Sequence, residues 1–285
     1  MSLRCVQRGA GCRRSRFRRA LDATYIGPNP AINAFAESGG EAIRIIAGAT
    51  SGGAQLVVRE GIDSVEDLTG TTLATPQLGN TQDVALRAYL SENGLENSVE
   101  GGGDVTITPT PNADTLSLFQ SRDFDGAWLP EPWASRLVLE AGAHVLVDEK
   151  ELWPDGEFVT THLIVRTEFL EQYPGTVAAL LRAHVTAVDF ANENADEAKE
   201  VVNAGIERDT GEALATEVLD RAWESLTVTD DPIAASLQTS ADNAVAAGTS
   251  EEQVDLTGIY DLRPLNEILA ELGEQPASAA DLGEE

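Results

Sequence analysis

The chain has 285 residues, 42% hydrophobic and 24% charged, which is enough apolar material for two lobes of ordinary domain size. Its 48 acids against 19 basic residues give a formal net charge of −29. That balance argues against nucleic acid or an anionic membrane surface as a partner, since both repel the chain, and no apolar run is long enough to predict a membrane-spanning helix.

Residues 1–20 stand apart. They hold seven arginines and no acid, whereas every one of the 48 acids lies from residue 21 onward. Both cysteines, Cys5 and Cys12, fall in the same segment, so neither a disulfide nor a cysteine-based metal site is expected in the rest. The segment lacks the apolar stretch of a secretory signal and reads as an aberrant, disordered basic stretch.

From residue 21 the patterning predicts a strand at 22–26, a helix at 30–37, a strand at 43–48, a turn at Ser51-Gly52-Gly53 and a strand at 54–58. Strand 72–75, helix 81–92, strand 104–108, helix 113–121, strand 125–129, helix 132–141 and strand 143–147 follow. Alternation of this kind predicts an α/β protein with parallel sheets covered on both faces. After a strand at 158–165 the chain reads as helical, near 168–173, 176–193, 196–207, 211–225, 233–247 and 263–272. The small, acidic residues 273–285 read as a disordered tail.

Leu21 to Ala31 overlays Phe124 to Ala134 at a constant offset of 103 residues, both running from a strand into a proline-punctuated turn. This suggests two lobes on one plan. Upstream, the second copy carries Leu116, Leu118 and Phe119 where the first has Arg13, Ser15 and Arg16. Arginines in place of a core face cannot pack as their counterparts do. A wrong start codon, a frameshift or a truncated gene explains the mismatch, and a genuine basic extension is the alternative.

The stretch Thr72 to Asp83 reads as a strand breaking into a helix, with Asn80 as N-cap and no bulky side chain in the first turn. The free N–H groups of such a helix start, with the positive end of the helix dipole behind them, hold an anion without a cationic side chain. The same residues also suit an ordinary strand-to-helix connection. Asp83 stands against the anion site, since a carboxylate in the first turn repels an incoming anion.

Tyr25-Ile26-Gly27-Pro28, Ser51-Gly52-Gly53, Pro76 to Asp83 and Leu129-Pro130-Glu131-Pro132-Trp133 together resemble the nitrate/sulfonate/taurine group of ABC-transporter solute-binding proteins. The resemblance runs from about residue 21 to the end. It implies a type II periplasmic-binding-protein fold, two α/β lobes around a ligand cleft, with the first lobe incomplete at its N-terminus. Residues 21–68 and 168–272 would form lobe I and residues 69–167 lobe II. It also implies capture of a small organic oxyanion, an aliphatic sulfonate ahead of nitrate, bicarbonate or a thiamin-precursor pyrimidine because of Gly79-Asn80-Thr81-Gln82-Asp83.

By the same resemblance Ser51, Gly52 and Gly53 would donate from one lobe and Gln77, Gly79, Asn80 and Thr81 from the other. Asn29 and Glu131 would face the cleft at the two equivalent turns, with Trp133 as a wall for the organic tail or as core. No metal, cofactor or catalytic residue is implied. The partners would be an ABC permease and ATPase, the chain itself a monomer, and its place the periplasm or cell surface. Without a signal peptide, a chain expressed as written would stay in the cytoplasm.

Rival readings remain at this stage. The three histidines, His144, His162 and His184, are scattered, and no nucleophile elbow, Walker loop or dinucleotide fingerprint occurs, which disfavours an enzyme. A regulatory effector domain would need a DNA-binding module that residues 1–20 are too short to form. A degenerate product that binds nothing is the third rival.

Overall fold

A computed structural model describes residues 21–285; the expectations placed on residues 1–20 lie outside the described residues. The elements run β1 (Ala23–Ile26), α1 (Pro28–Glu37), β2 (Ile43–Gly52), β3 (Ala54–Val58), β4 (Thr72–Thr75), α2 (Thr81–Glu92), β5 (Thr106–Pro109), α3 (Asn112–Gln120) and β6 (Gly126–Pro130). They continue as α4 (Trp133–Ala141), β7 (His144–Asp148), β8 (Val159–Arg166), α5 (Thr167–Gln172), α6 (Pro174–Glu193), α7 (Ala195–Thr210) and α8 (Thr216–Ser225). The chain finishes with β9 (Leu226–Val228), α9 (Ala235–Ala246), β10 (Tyr260–Asp261), α10 (Arg263–Leu272) and β11 (Gly283–Glu284).

These strands form two sheets. The first has the order β1-β8-β2-β10-β11, with β9 added to the end of β2, and the second has the order β5-β4-β6-β3-β7. Ile32 and Phe35 of α1, Ile45 of β2, and Leu163, Ile164 and Val165 of β8 join helices α6, α9 and α10 in one core around the first sheet. The second sheet is covered on both faces. Leu86 and Leu90 of α2 pack with Leu56, Leu73 and Trp128 on one side, and Leu116, Phe119 and Leu137 of α3 and α4 pack with Val57, Ala74 and Leu129 on the other.

The sheets are mixed, not parallel throughout. β4 runs parallel to β5 and β6, and β10 runs parallel to β2, but β3 is antiparallel to β6 and β7, and β8 is antiparallel to β1 and β2. The exceptions are the strands next to the passages between lobes: β2 leads into β3 with no helix between them, so no parallel crossover forms there. The pairings also move the expected lobe boundaries. Strand 54–58 belongs to the second sheet and strand 159–166 to the first, so the exchange occurs at Gly52-Gly53, not near residue 68.

The offset repeat survives in three dimensions: β1 and α1 stand beside β8 as β6 and α4 stand beside β3. On its other side β6 carries β4 and then β5, whereas β1 has no second strand neighbour among the described residues.

Two further expectations are corrected. Helix 211–225 begins at Thr216, because Gly211 closes α7 in the left-handed conformation at φ 90° and Asn203 holds both the N–H and the carbonyl of Leu214 in the connection. The tail is folded: the Asn266 side chain brackets the backbone of Ala277, Ala279 is fully buried, and β11 pairs with β10.

Candidate functional site

Asn80 caps α2, its Oδ1 accepting the Asp83 N–H at 3.0 Å. The Asp83 carboxylate turns back from the helix mouth. Oδ1 accepts from Thr75 Oγ1 at 2.8 Å, and Oδ2 accepts from Gly79 N at 2.9 Å and Arg87 Nε at 3.0 Å. Asp83 and Arg87 are both buried, 0% and 1% exposed at the side chain, so the charge expected to repel an anion has its counter-charge one turn away.

That arrangement leaves the Asp83 carboxylate turned away from the donors of the first turn of α2. Among the described residues Thr81 N and Gln82 N make no hydrogen bond to a protein group, and Thr81 Oγ1 is buried without a partner. Thr81 is 8% exposed, and its hydroxyl faces the start of α1 across the lobes: a Cβ added to Gly27 would lie 2.7 Å from it. An unpaired buried hydroxyl at a helix N-terminus is a group whose cost of desolvation an incoming oxyanion relieves.

The first turn of α1 offers little by itself. Pro28 and Pro30 have no N–H, which leaves that of Asn29, while the Asn29 side chain donates to Ser240 O at 2.9 Å and ties α1 to α9. Asn29 is therefore a brace with one backbone donor.

The other expected site residues divide. Gln77 is partly exposed in the turn before α2. Asn80 and the Gly79 N–H are already engaged, as cap and as donor to Asp83, so they shape the site without being free for a ligand. Ser51-Gly52-Gly53 is not a plain turn but the passage from one sheet to the other, with φ 70° at both glycines. There the Gly53 N–H donates to Ser225 O and Gly52 O accepts from Thr160 Oγ1, so these two groups are likewise taken. Ser51 is buried on β2.

The Glu131 carboxylate is engaged by protein groups as well. Its Oε1 pairs with Arg221 Nη1 at 3.0 Å and its Oε2 accepts the Ser135 N–H at the start of α4. Trp133 is partly buried against the α3–α4 core, with the Arg136 guanidinium 4.9 Å from its ring centroid, which favours the core role over a ligand wall.

Sequence reasoning missed Gly27 as a closing contact and Arg221 altogether. Arg221, on α8, also donates to Ser135 Oγ at 2.8 Å and Gln55 Oε1 at 2.7 Å, while Gln55 Nε2 reaches Asp148 Oδ2 at 3.1 Å. No local pattern marks such a residue, because its partners are 86 to 166 positions away. Next to this network lies Glu149, fully buried, whose carboxyl burial pushes up to about 7 while Trp128 Nε1 donates to it at 2.7 Å.

The NMT1-like family model matches residues 3–206. The chain belongs to the NMT1-like family. The match begins inside the segment that composition sets apart. An aliphatic sulfonates-binding protein of Bacillus subtilis, so named provisionally, is 24% identical over 180 residues, which are 62% of this chain and 51% of that one. This NMT1-like chain thus matches about half the length of that curated relative.

Among solved structures, the alkanesulfonate-binding protein SsuA of Xanthomonas axonopodis pv. citri, bound to MOPS, shares the fold at a TM-score of 0.66 and 18% identity, covering 82% of this chain and 78% of that one. The desulfurization enzyme DSZB shares it at 0.65 and 17%, covering 92% and 89%. The two-lobed α/β architecture thus carries binding in one neighbour and catalysis in another.

Proposed function

We propose that this chain captures a small organic oxyanion, an aliphatic sulfonate, as the solute-binding component of an ABC importer. The single observation that carries the reading is Thr81: a buried hydroxyl on the first residue of α2 that, like the two backbone N–H groups beside it, has no partner among the described residues. Neutral donors spread over a helix mouth suit a monoanion whose charge is shared by three oxygens. The sulfonate-binding relative and the SsuA neighbour support the choice of anion. The donors are those of a binding site, with a permease and an ATPase as the partners the reading requires.

A thermal-shift panel of taurine, ethanesulfonate, butanesulfonate, nitrate and bicarbonate tests it. A ligand at 100 times its dissociation constant stabilises the folded state by about 2.7 kcal/mol. The expected result is a rise in Tm with a sulfonate; a rise with nitrate alone transfers the assignment to nitrate, and no rise with any anion overturns it. Thr81→Ala should weaken the effective ligand by roughly 1–3 kcal/mol, since a hydroxyl that serves the oxyanion loses a charge-assisted bond.

A further inference from the structure

Asp83 sits where a carboxylate should harm an oxyanion site, yet the fold uses it. Its two oxygens gather Thr75 Oγ1, Gly79 N and Arg87 Nε, at 2.8, 2.9 and 3.0 Å, and thereby fix the turn that precedes α2. The buried negative charge beside the helix mouth would oppose a bound anion if nothing compensated it. Arg87 is the cation within reach, one helical turn below, 1% exposed at the side chain, and its Nη1 has no protein partner among the described residues.

We propose that Arg87 is a positioning residue that keeps the mouth of α2 electropositive: by neutralising Asp83 it lets that carboxylate brace the turn without repelling the oxyanion. The proposal rests on the oxyanion reading of the same mouth and specifies what sets its affinity. It explains why an acid is compatible with the first turn of an anion-binding helix. Arg87 does not touch the ligand; it acts through Asp83, on a site whose own donors are Thr81 Oγ1, Thr81 N and Gln82 N.

The test reads the field at the mouth without any ligand. In the full chain with Cys5→Ser and Cys12→Ser, Thr81→Cys places one thiol at the helix start, and thiolate absorbance against pH gives its pKa. A helix N-terminus should hold that thiol below the free value of about 8.5. Adding Arg87→Met is expected to raise it by about one unit, and adding Asp83→Asn alone is expected to lower it. The double change Asp83→Asn with Arg87→Met should return it close to the starting value.

Unfolding would move the thiol toward about 8.5 in every variant, so from a starting value below that a fall with Asp83→Asn cannot come from lost structure, and unchanged circular dichroism makes the same distinction from a starting value above it. If Arg87→Met leaves the pKa where it was, or if both single changes shift it in the same direction, the proposal is overturned. Because the readout needs no ligand, it stands apart from the thermal-shift panel. A responsive thiol with no anion binding would sink the oxyanion reading while leaving the Arg87–Asp83 relation intact, and the reverse result would do the opposite.

Discussion

Arg221 Nη1 on α8 lies 3.0 Å from Glu131 Oε1 on the turn before α4, and this pair joins the helical return of the chain to the second sheet's edge of the passage between lobes. The Glu131 side chain is 2% exposed and Arg221 22%, so the carboxylate is the more deeply desolvated partner. Ser135 Oγ and Gln55 Oε1 receive the rest of the guanidinium at 2.8 and 2.7 Å. The network fixes α8 against α4 beside the glycines through which β2 becomes β3.

Arg221→Ala should therefore destabilise the protein by about 2–4 kcal/mol, near the lower end for breaking a buried pair because Arg221 keeps some contact with water. Urea unfolding measures the loss. Glu131→Gln in the same chain should recover part of it, because the carboxylate left without its partner is the main cost. A loss below about 0.5 kcal/mol would mean that the pair is only a surface contact.

Two buried groups give the stability curve opposing slopes. Burial raises the Glu149 carboxyl to about 7 and lowers the His162 imidazole to about 4. Between the unfolded Glu value and about 7 the native state holds the Glu149 proton and the unfolded state has released it, so stability falls as pH rises. Between about 4 and the unfolded His value the unfolded state holds the His162 proton and the native state does not, so stability rises with pH. The two slopes largely cancel across mildly acidic pH. Glu149→Gln removes one of them, and the variant should gain stability with rising pH at up to about 1.4 kcal/mol per unit over that range, relative to wild type. Parallel curves for the two proteins in urea titrations between about pH 4.5 and 7 would show that Glu149 ionises normally.

Much of the architecture is legible in the sequence because it is local. Asn80 as cap, the apolar set Val84, Leu86, Ala88 and Leu90, and Asn93-Gly94 as stop define α2 at the bounds observed. Strand β4 is equally well marked, lying between a glycine-threonine turn and Pro76. By contrast β10 and β11 are two residues each, too short for any periodicity, and exist only because β10 adds to β2 and β11 to β10. The acidic tail reads as disordered by composition, yet Ala277 and Ala279 are small enough to enter the core and Asn266 satisfies the backbone beside them. At the site, Thr81 is legible from its helix start. The role of Glu131 is not, since its partner Arg221 is 90 residues away.

Gly27 packs against the Thr81 hydroxyl. A Cβ on Gly27 would stand 2.7 Å from Thr81 Oγ1, closer than such contacts allow, while the Gly27 backbone at φ −70° and ψ 160° suits any residue. Gly27→Ala therefore strains only the approach of the two lobes and leaves β1 and α1 as they are. The β-branched Thr81 side chain has few rotamers with which to yield, and one of them puts the methyl group where the hydroxyl stood. The variant should lose roughly tenfold in affinity for the proposed oxyanion, about 1.4 kcal/mol by calorimetry. Thr81→Ser keeps the donor and removes the methyl, so combining it with Gly27→Ala should restore most of the lost affinity. Additive losses in the double variant would place the effect of Gly27 elsewhere than at this contact.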